Sequence, residues 1–161
     1  MRIGVALLVV VVGINAAPLA AAAEARSSLA ERYFRGIYGC GPEVVEELAS
    51  SEIVVSYPIF EDVLGKPALR GRAAVEAFAE RFCQKWKDVE FAFHRSVVDE
   101  NRVVLVWSFS AQDADAAPGE ARSAWGGISL FEFDSEGKIA TEIGEESTPG
   151  PMGRLAKAGV E

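Results

Sequence analysis

The chain has 161 residues, half of them apolar, and a formal net charge of −8. That length suits one domain of ~100–200 residues with a core of useful size. The acidic balance excludes binding to a nucleic-acid backbone, which needs clustered Lys and Arg.

The first residues read as a targeting segment. Met1-Arg2 is a short basic region, Ile3 to Ile14 is apolar, and Ala16 to Ala25 offers small-residue cleavage sites. This is the pattern of a secretory signal peptide over residues 1–23, which implies a secreted or periplasmic protein. The other reading is a retained anchor, because the apolar stretch to Ala23 approaches the ~20 residues that span a bilayer. Residues 24–148 then form the folded domain, and the Pro/Gly-rich residues 149–161 a flexible tail. Cys40 and Cys83 are the two cysteines; a disulfide and two buried thiols both remain open. With one histidine and no close Cys/His cluster, no metal site is expected.

Ser28-Leu29-Ala30-Glu31 has the form of a capping box. It precedes a helical apolar stripe of Leu29, Tyr33, Phe34, Ile37 and Tyr38, which Gly39-Cys40-Gly41 ends. Pro42 suits the first turn of a short helix through Leu48, and Ser50-Ser51 ends it. Glu52 to Tyr57 reads as a strand closed by Pro58, and Ile59 to Leu69 as a loop. Gly71 starts a third helix, with Val75, Phe78, Ala79, Phe82 and Trp86 on one face. Four strands follow without a helix between them. They begin near Val89 and end near Ser147, with tight turns at Asp99-Glu100-Asn101 and Asp134-Ser135-Glu136-Gly137. Val103 to Val106 is apolar on both faces, so both sides of the sheet are expected to be covered.

In order and spacing, three elements resemble one superfamily. They are Tyr57-Pro58, then Leu69-Arg70-Gly71-Arg72 opening the third helix, then Phe131-Glu132-Phe133-Asp134-Ser135-Glu136-Gly137-Lys138-Ile139. Over residues 27–147 the chain resembles the SnoaL-like and ketosteroid-isomerase-like members of the nuclear transport factor 2 superfamily. The resemblance implies an α+β cone, a curved antiparallel sheet wrapped around three N-terminal helices. With helices on one side of the sheet, a second subunit would cover the other, giving a homodimer through the outer face, and no cofactor is expected. Ketosteroid isomerases use a tyrosine donor, a carboxylate base and a protonated carboxylic acid. The corresponding positions here are Tyr33, Tyr57 and Ser129. A phenol with a pKa near ~10 is a poor base at neutral pH, so isomerase activity does not carry over.

The same register places Val89, Phe91, Val103, Leu105 and Trp107 on the concave face, with Trp125, Ser129, Phe131, Glu142 and Glu146. Tyr57, Trp107, Trp125, Ser129 and Phe131 are the expected ligand contacts. Glu142 and Glu146 share a strand face, opposite Ile139, Thr141 and Ile143; a bulge near Gly144 would instead expose them. Asp62 sits at the expected mouth, as a pocket acid or a solvated loop acid. His94 reads as a surface or dimer residue. Gly126-Gly127 inside a strand marks a bulge or a close approach. Two functions follow. One is an exported domain whose apolar pocket binds a small hydrophobic molecule. The other is a cofactor-free acid/base enzyme of isomerase, cyclase or hydrolase type. It would use Tyr33 as donor and Glu146, Glu142 or Asp62 as acid or base.

Overall fold

The alanine-rich run before Glu24 and the aromatic stripe after it form one helix, α1 (Ala17–Tyr38). The structure, a computed structural model, describes residues 17–117 and 119–147. Residues 1–16 of the expected signal peptide and the whole expected tail therefore lie outside the described residues. Ser28 lies inside α1, so the Ser28–Glu31 pattern does not cap it. Alanine has the highest helix propensity and carries the helix back past that point. Ala30, Tyr33, Phe34, Ile37 and Tyr38 are all buried. The helix ends where Cys40 turns left-handed (φ 72°) and the Gly41 N–H bonds the Gly36 carbonyl at 2.9 Å. That is a Schellman-type stop with a cysteine in the place usually taken by glycine.

Next come α2 (Val44–Leu48) and β1 (Ala49–Ser56). Ser50 and Ser51 thus open a strand rather than only ending a helix. Ile59 to Leu69 is not a loop. It holds α3 (Ile59–Leu64), closed by left-handed Gly65, and β2 (Ala68–Arg70), which pairs antiparallel with β1. Ile59, Phe60, Val63 and Leu64 form a helical stripe too short to separate from a loop by periodicity alone. Then α4 (Arg72–Lys85) leads straight into β3 (Trp86–Asp99). The Arg72 guanidinium holds α4 to β1, donating to the Ala49 carbonyl at 2.6 and 3.0 Å. A disulfide joins Cys40, just past α1, to Cys83 near the end of α4, with Cα atoms 5.4 Å apart.

β4 (Arg102–Asp113), β5 (Ser123–Phe133) and β6 (Ile139–Glu146) complete a six-stranded sheet in the order β2-β1-β6-β5-β4-β3. All neighbours are antiparallel except β1 and β6, which run parallel. The sheet is therefore mixed, which corrects the wholly antiparallel expectation. A parallel pair needs a long crossover, and everything between β1 and β6 supplies it. The architecture is an α+β cone, with α1 and α4 inside the curved sheet. β3 shifts register between Lys87 and Glu90 and between Phe93 and Arg95, and such bulges bend a strand. His94 falls in the second shift, exposed, with its Nε2 2.9 Å from Ser108 Oγ. In β6 the irregularity lies between Ile139 and Thr141, not at Gly144. It turns Ile139 inward beside Glu142, contrary to simple alternation, and both are fully buried.

Candidate functional site

The floor of the cone is a polar cluster in an apolar core. β1 delivers Tyr57 just past its end, β5 delivers Ser129, β4 delivers Trp107 and β6 delivers Glu142. The Tyr57 hydroxyl lies 2.6 Å from Ser129 Oγ and 2.6 Å from Glu142 Oε1. The Trp107 indole donates to Ser129 Oγ at 3.0 Å, and the Tyr38 hydroxyl donates to Glu142 Oε1 at 3.3 Å. An indole N–H only donates. Tyr57 donates its proton to Glu142, so Ser129 must donate to Tyr57. The result is a one-way donor series, Trp107 to Ser129 to Tyr57 to Glu142.

Two glycines admit the rings. A Cβ on Gly144 would lie 2.1 Å from the Tyr57 ring, and one on Gly127 would lie 2.5 Å from the Trp107 ring. Gly127 is thus a site of close approach, by the Trp107 ring and the Glu145 carbonyl of its own sheet. Glu142 is fully buried, and burial raises its carboxyl to a pKa of about 7 against the pull of Tyr57 and Tyr38. The phenols of Tyr33, Tyr38 and Tyr57 are all held above their ordinary range by burial, and the charge of Glu142 adds to this. Glu142 Oε2 and the Tyr33 hydroxyl are buried without a partner.

Above this floor is a cavity of about 740 Å³. α1 lines it with Phe34 and Tyr38, α3 with Phe60, and α4 with Phe78 and Phe82. Trp86, Trp107, Phe109 and Trp125 form the sheet side. Aromatic contacts tie the wall together, with Phe109 and Trp125 centroids 4.1 Å apart and Tyr38 and Phe82 centroids 5.3 Å apart. Glu146 also lines the cavity, and burial raises its carboxyl to a pKa of about 7, with Glu145 adding and Trp125 opposing.

The structure thus divides the residues named from sequence. Tyr57, Trp107, Trp125 and Glu146 line the cavity. Glu142, Ser129 and Phe131 are fully buried behind that lining, and so is Tyr33. Asp62 does not reach in. It is exposed on α3, whose cavity face is Ile59, Phe60, Val63 and Leu64. Sequence reading passed over Tyr38 as a site residue, although its place in the aromatic stripe of α1 was visible. It also missed Arg81 and Lys85, cations within the lining. Among the described residues no group of His, Cys, Asp and Glu is placed to hold a metal ion.

A helix-filled cone with an aromatic cavity open at one side defines a small-molecule-binding domain. The chain belongs to the SnoaL-like domain family, whose pattern matches residues 30–142. No curated protein matches the sequence. Solved structures share the fold at low identity. TsrD from Streptomyces laurentii is 19% identical, with a TM-score of 0.59 over 83% of this chain and 94% of that one. A Mycobacterium tuberculosis epoxide hydrolase of the LEH-like kind is 15% identical, with a TM-score of 0.63 over 84% and 92%. A Shewanella denitrificans protein designated a SnoaL-like polyketide cyclase is 13% identical, with a TM-score of 0.64 over 82% and 97%.

Proposed function

We propose that this is an exported SnoaL-like domain that binds a small hydrophobic molecule in the aromatic cavity. The observation that carries the reading is the lining itself. Four faces of aromatic side chains surround a space large enough for a ligand of several rings, with the Tyr38 and Tyr57 side chains at its base. All three tryptophans of the chain, Trp86, Trp107 and Trp125, line that space. The uncharged probe N-phenyl-1-naphthylamine should therefore quench tryptophan emission saturably, at one probe per chain. No saturable binding up to ~100 μM would overturn the reading, because a preformed apolar pocket holds such a ligand at micromolar levels.

Glu146 favours a second reading, cofactor-free acid/base chemistry. A carboxyl inside a cavity with a pKa of about 7 is matched to proton transfer at neutral pH. The unpartnered hydroxyl of Tyr33 and the unpartnered Oε2 of Glu142 would serve as hydrogen-bond groups for a ligand oxygen that penetrates the floor. The check is deuterium exchange into the enolisable ketone 2-tetralone. Exchange accelerated by the protein and slowed ~100-fold or more by Glu146→Gln supports it. No acceleration by the native chain leaves binding alone.

Export is part of the proposal. The leader pattern and the Cys40–Cys83 disulfide support it, since disulfides persist in oxidising compartments. N-terminal sequencing of the exported protein should begin between Ala22 and Arg26; retention of Met1 would point to an anchor. A homodimer through the outer face of the sheet completes the reading.

A further inference from the structure

We propose that the ligand is an aryl carboxylic acid, with its carboxylate held at the lip of the cavity by Arg81 and Lys85. This rests on the reading of the cavity as a hydrophobic-ligand site. The face of α4 that lines the cavity is Phe78, Arg81, Phe82 and Lys85, and Trp86 follows as the first residue of β3. Helical spacing puts the four α4 residues on one stripe, and the two cations stand one turn apart, ~6 Å along the axis. A cation near the last turn complements the helix dipole. That accounts for Lys85 and not for Arg81 one turn earlier.

Arg81 is the telling residue. Its Nε donates to the Ala77 carbonyl at 3.3 Å, and no ion pair engages its guanidinium among the described residues. In a chain of net charge −8, acidic groups are plentiful, yet none of the described ones pairs with this one. Lys85 pairs with Asp113 across an exposed surface, and such a pair is weak enough to be re-partnered. Its Nζ also lies 5.5 Å from the centroid of the Trp86 ring.

The sheet register separates these cations from the acid in the wall. Trp86 pairs with Asp113, and Ser123 with Ala111, so Ser123 marks the lip. Glu146 pairs with Gly127, four residues deeper along β5. The Glu146 carboxyl takes a hydrogen bond from the Trp125 side chain, in the wall below that lip. Phe109 and Trp125 fill the interval. The site therefore has a lip that carries Arg81 and the Lys85–Asp113 pair, an aromatic throat with Glu146 beside Trp125, and a phenol base. An anion fits at the lip only, and a flat apolar body fits below it. A guanidinium and a carboxylate form a paired, charge-assisted hydrogen bond, which fixes orientation.

The test compares naphthalene-2-carboxylate with its methyl ester by calorimetry on the full-length protein. The native chain should bind the acid about 10-fold more tightly than the ester, and raising salt from about 0.05 to about 0.5 M should erase most of the preference. Arg81→Gln with Lys85→Gln should bring the ratio of the two affinities close to one. Arg81→Lys should keep most of it. An ester bound as tightly as the acid by the native chain would overturn the proposal while leaving the hydrophobic site standing. Failure of both ligands to bind would overturn the proposal together with the site it rests on.

Discussion

Glu142 is the residue that most sets the chemistry of the core. Its carboxyl has an ordinary value of 4.5 and is raised to about 7 by burial. Between those values the unfolded chain has released this proton and the folded chain still holds it. Stability therefore falls as pH rises through that window, by up to about 3 kcal/mol from this group. Urea unfolding of Glu142→Gln at about pH 5 and about pH 8 should show a smaller loss than the native chain by an amount of that order. An equal loss in both would show that Glu142 ionises freely in the fold. Glu146 contributes in the same direction, less so because it is part exposed.

At the scale of elements, strands β5 and β6 are shaped by what lies across them. Gly144→Ala would drive a Cβ into the Tyr57 ring, and moving that ring away would break its hydrogen bonds to Ser129 and Glu142. Thermal melts should show a loss of about 2–4 kcal/mol, and Gly137→Ala, in open space at φ 76°, a smaller one. Equal losses at both positions would remove the close-approach account. Much of this was legible beforehand. The four-strand run, the stripe of α4 and the inward parity of Glu142 and Glu146 all follow from periods of 2 and 3.6. What was not legible depended on partners distant in sequence. The parallel pairing of β1 with β6 carries no local signal. Neither does the bulge at Ala140, which places Ile139 inward. The site shows the same split. Tyr57, Trp107, Trp125 and Glu146 were read from register, whereas the reach of Tyr38 to a glutamate 104 residues away was not.

For the whole molecule, the outer face of the sheet bears on assembly. Ile128 is 53% exposed and Ile143 is 47% exposed on adjacent strands, and Val104 and Leu130 lie with them around a shallow apolar depression. A water-facing sheet surface of that kind suits an isologous interface. In the proposed homodimer, Ile128→Glu should give a monomer in sedimentation while tryptophan quenching by the neutral probe persists. A native chain that sediments as a monomer at ~100 μM would remove the dimer from the proposal.

The last strand among the described residues is not at an edge. β6 lies between β1 and β5, and it is the only link in the sheet between the β2-β1 pair and the β5-β4-β3 set. Until residues 139–146 are available, the chain holds two half-sheets with complementary open edges, and Tyr57 has no Glu142 to meet. Folding of this domain must then wait for nearly all of it to be present, because non-local closure comes late. A ribosome still holding β6 would hold the protein open, and a truncation before Ile139 should give an insoluble product rather than a smaller domain.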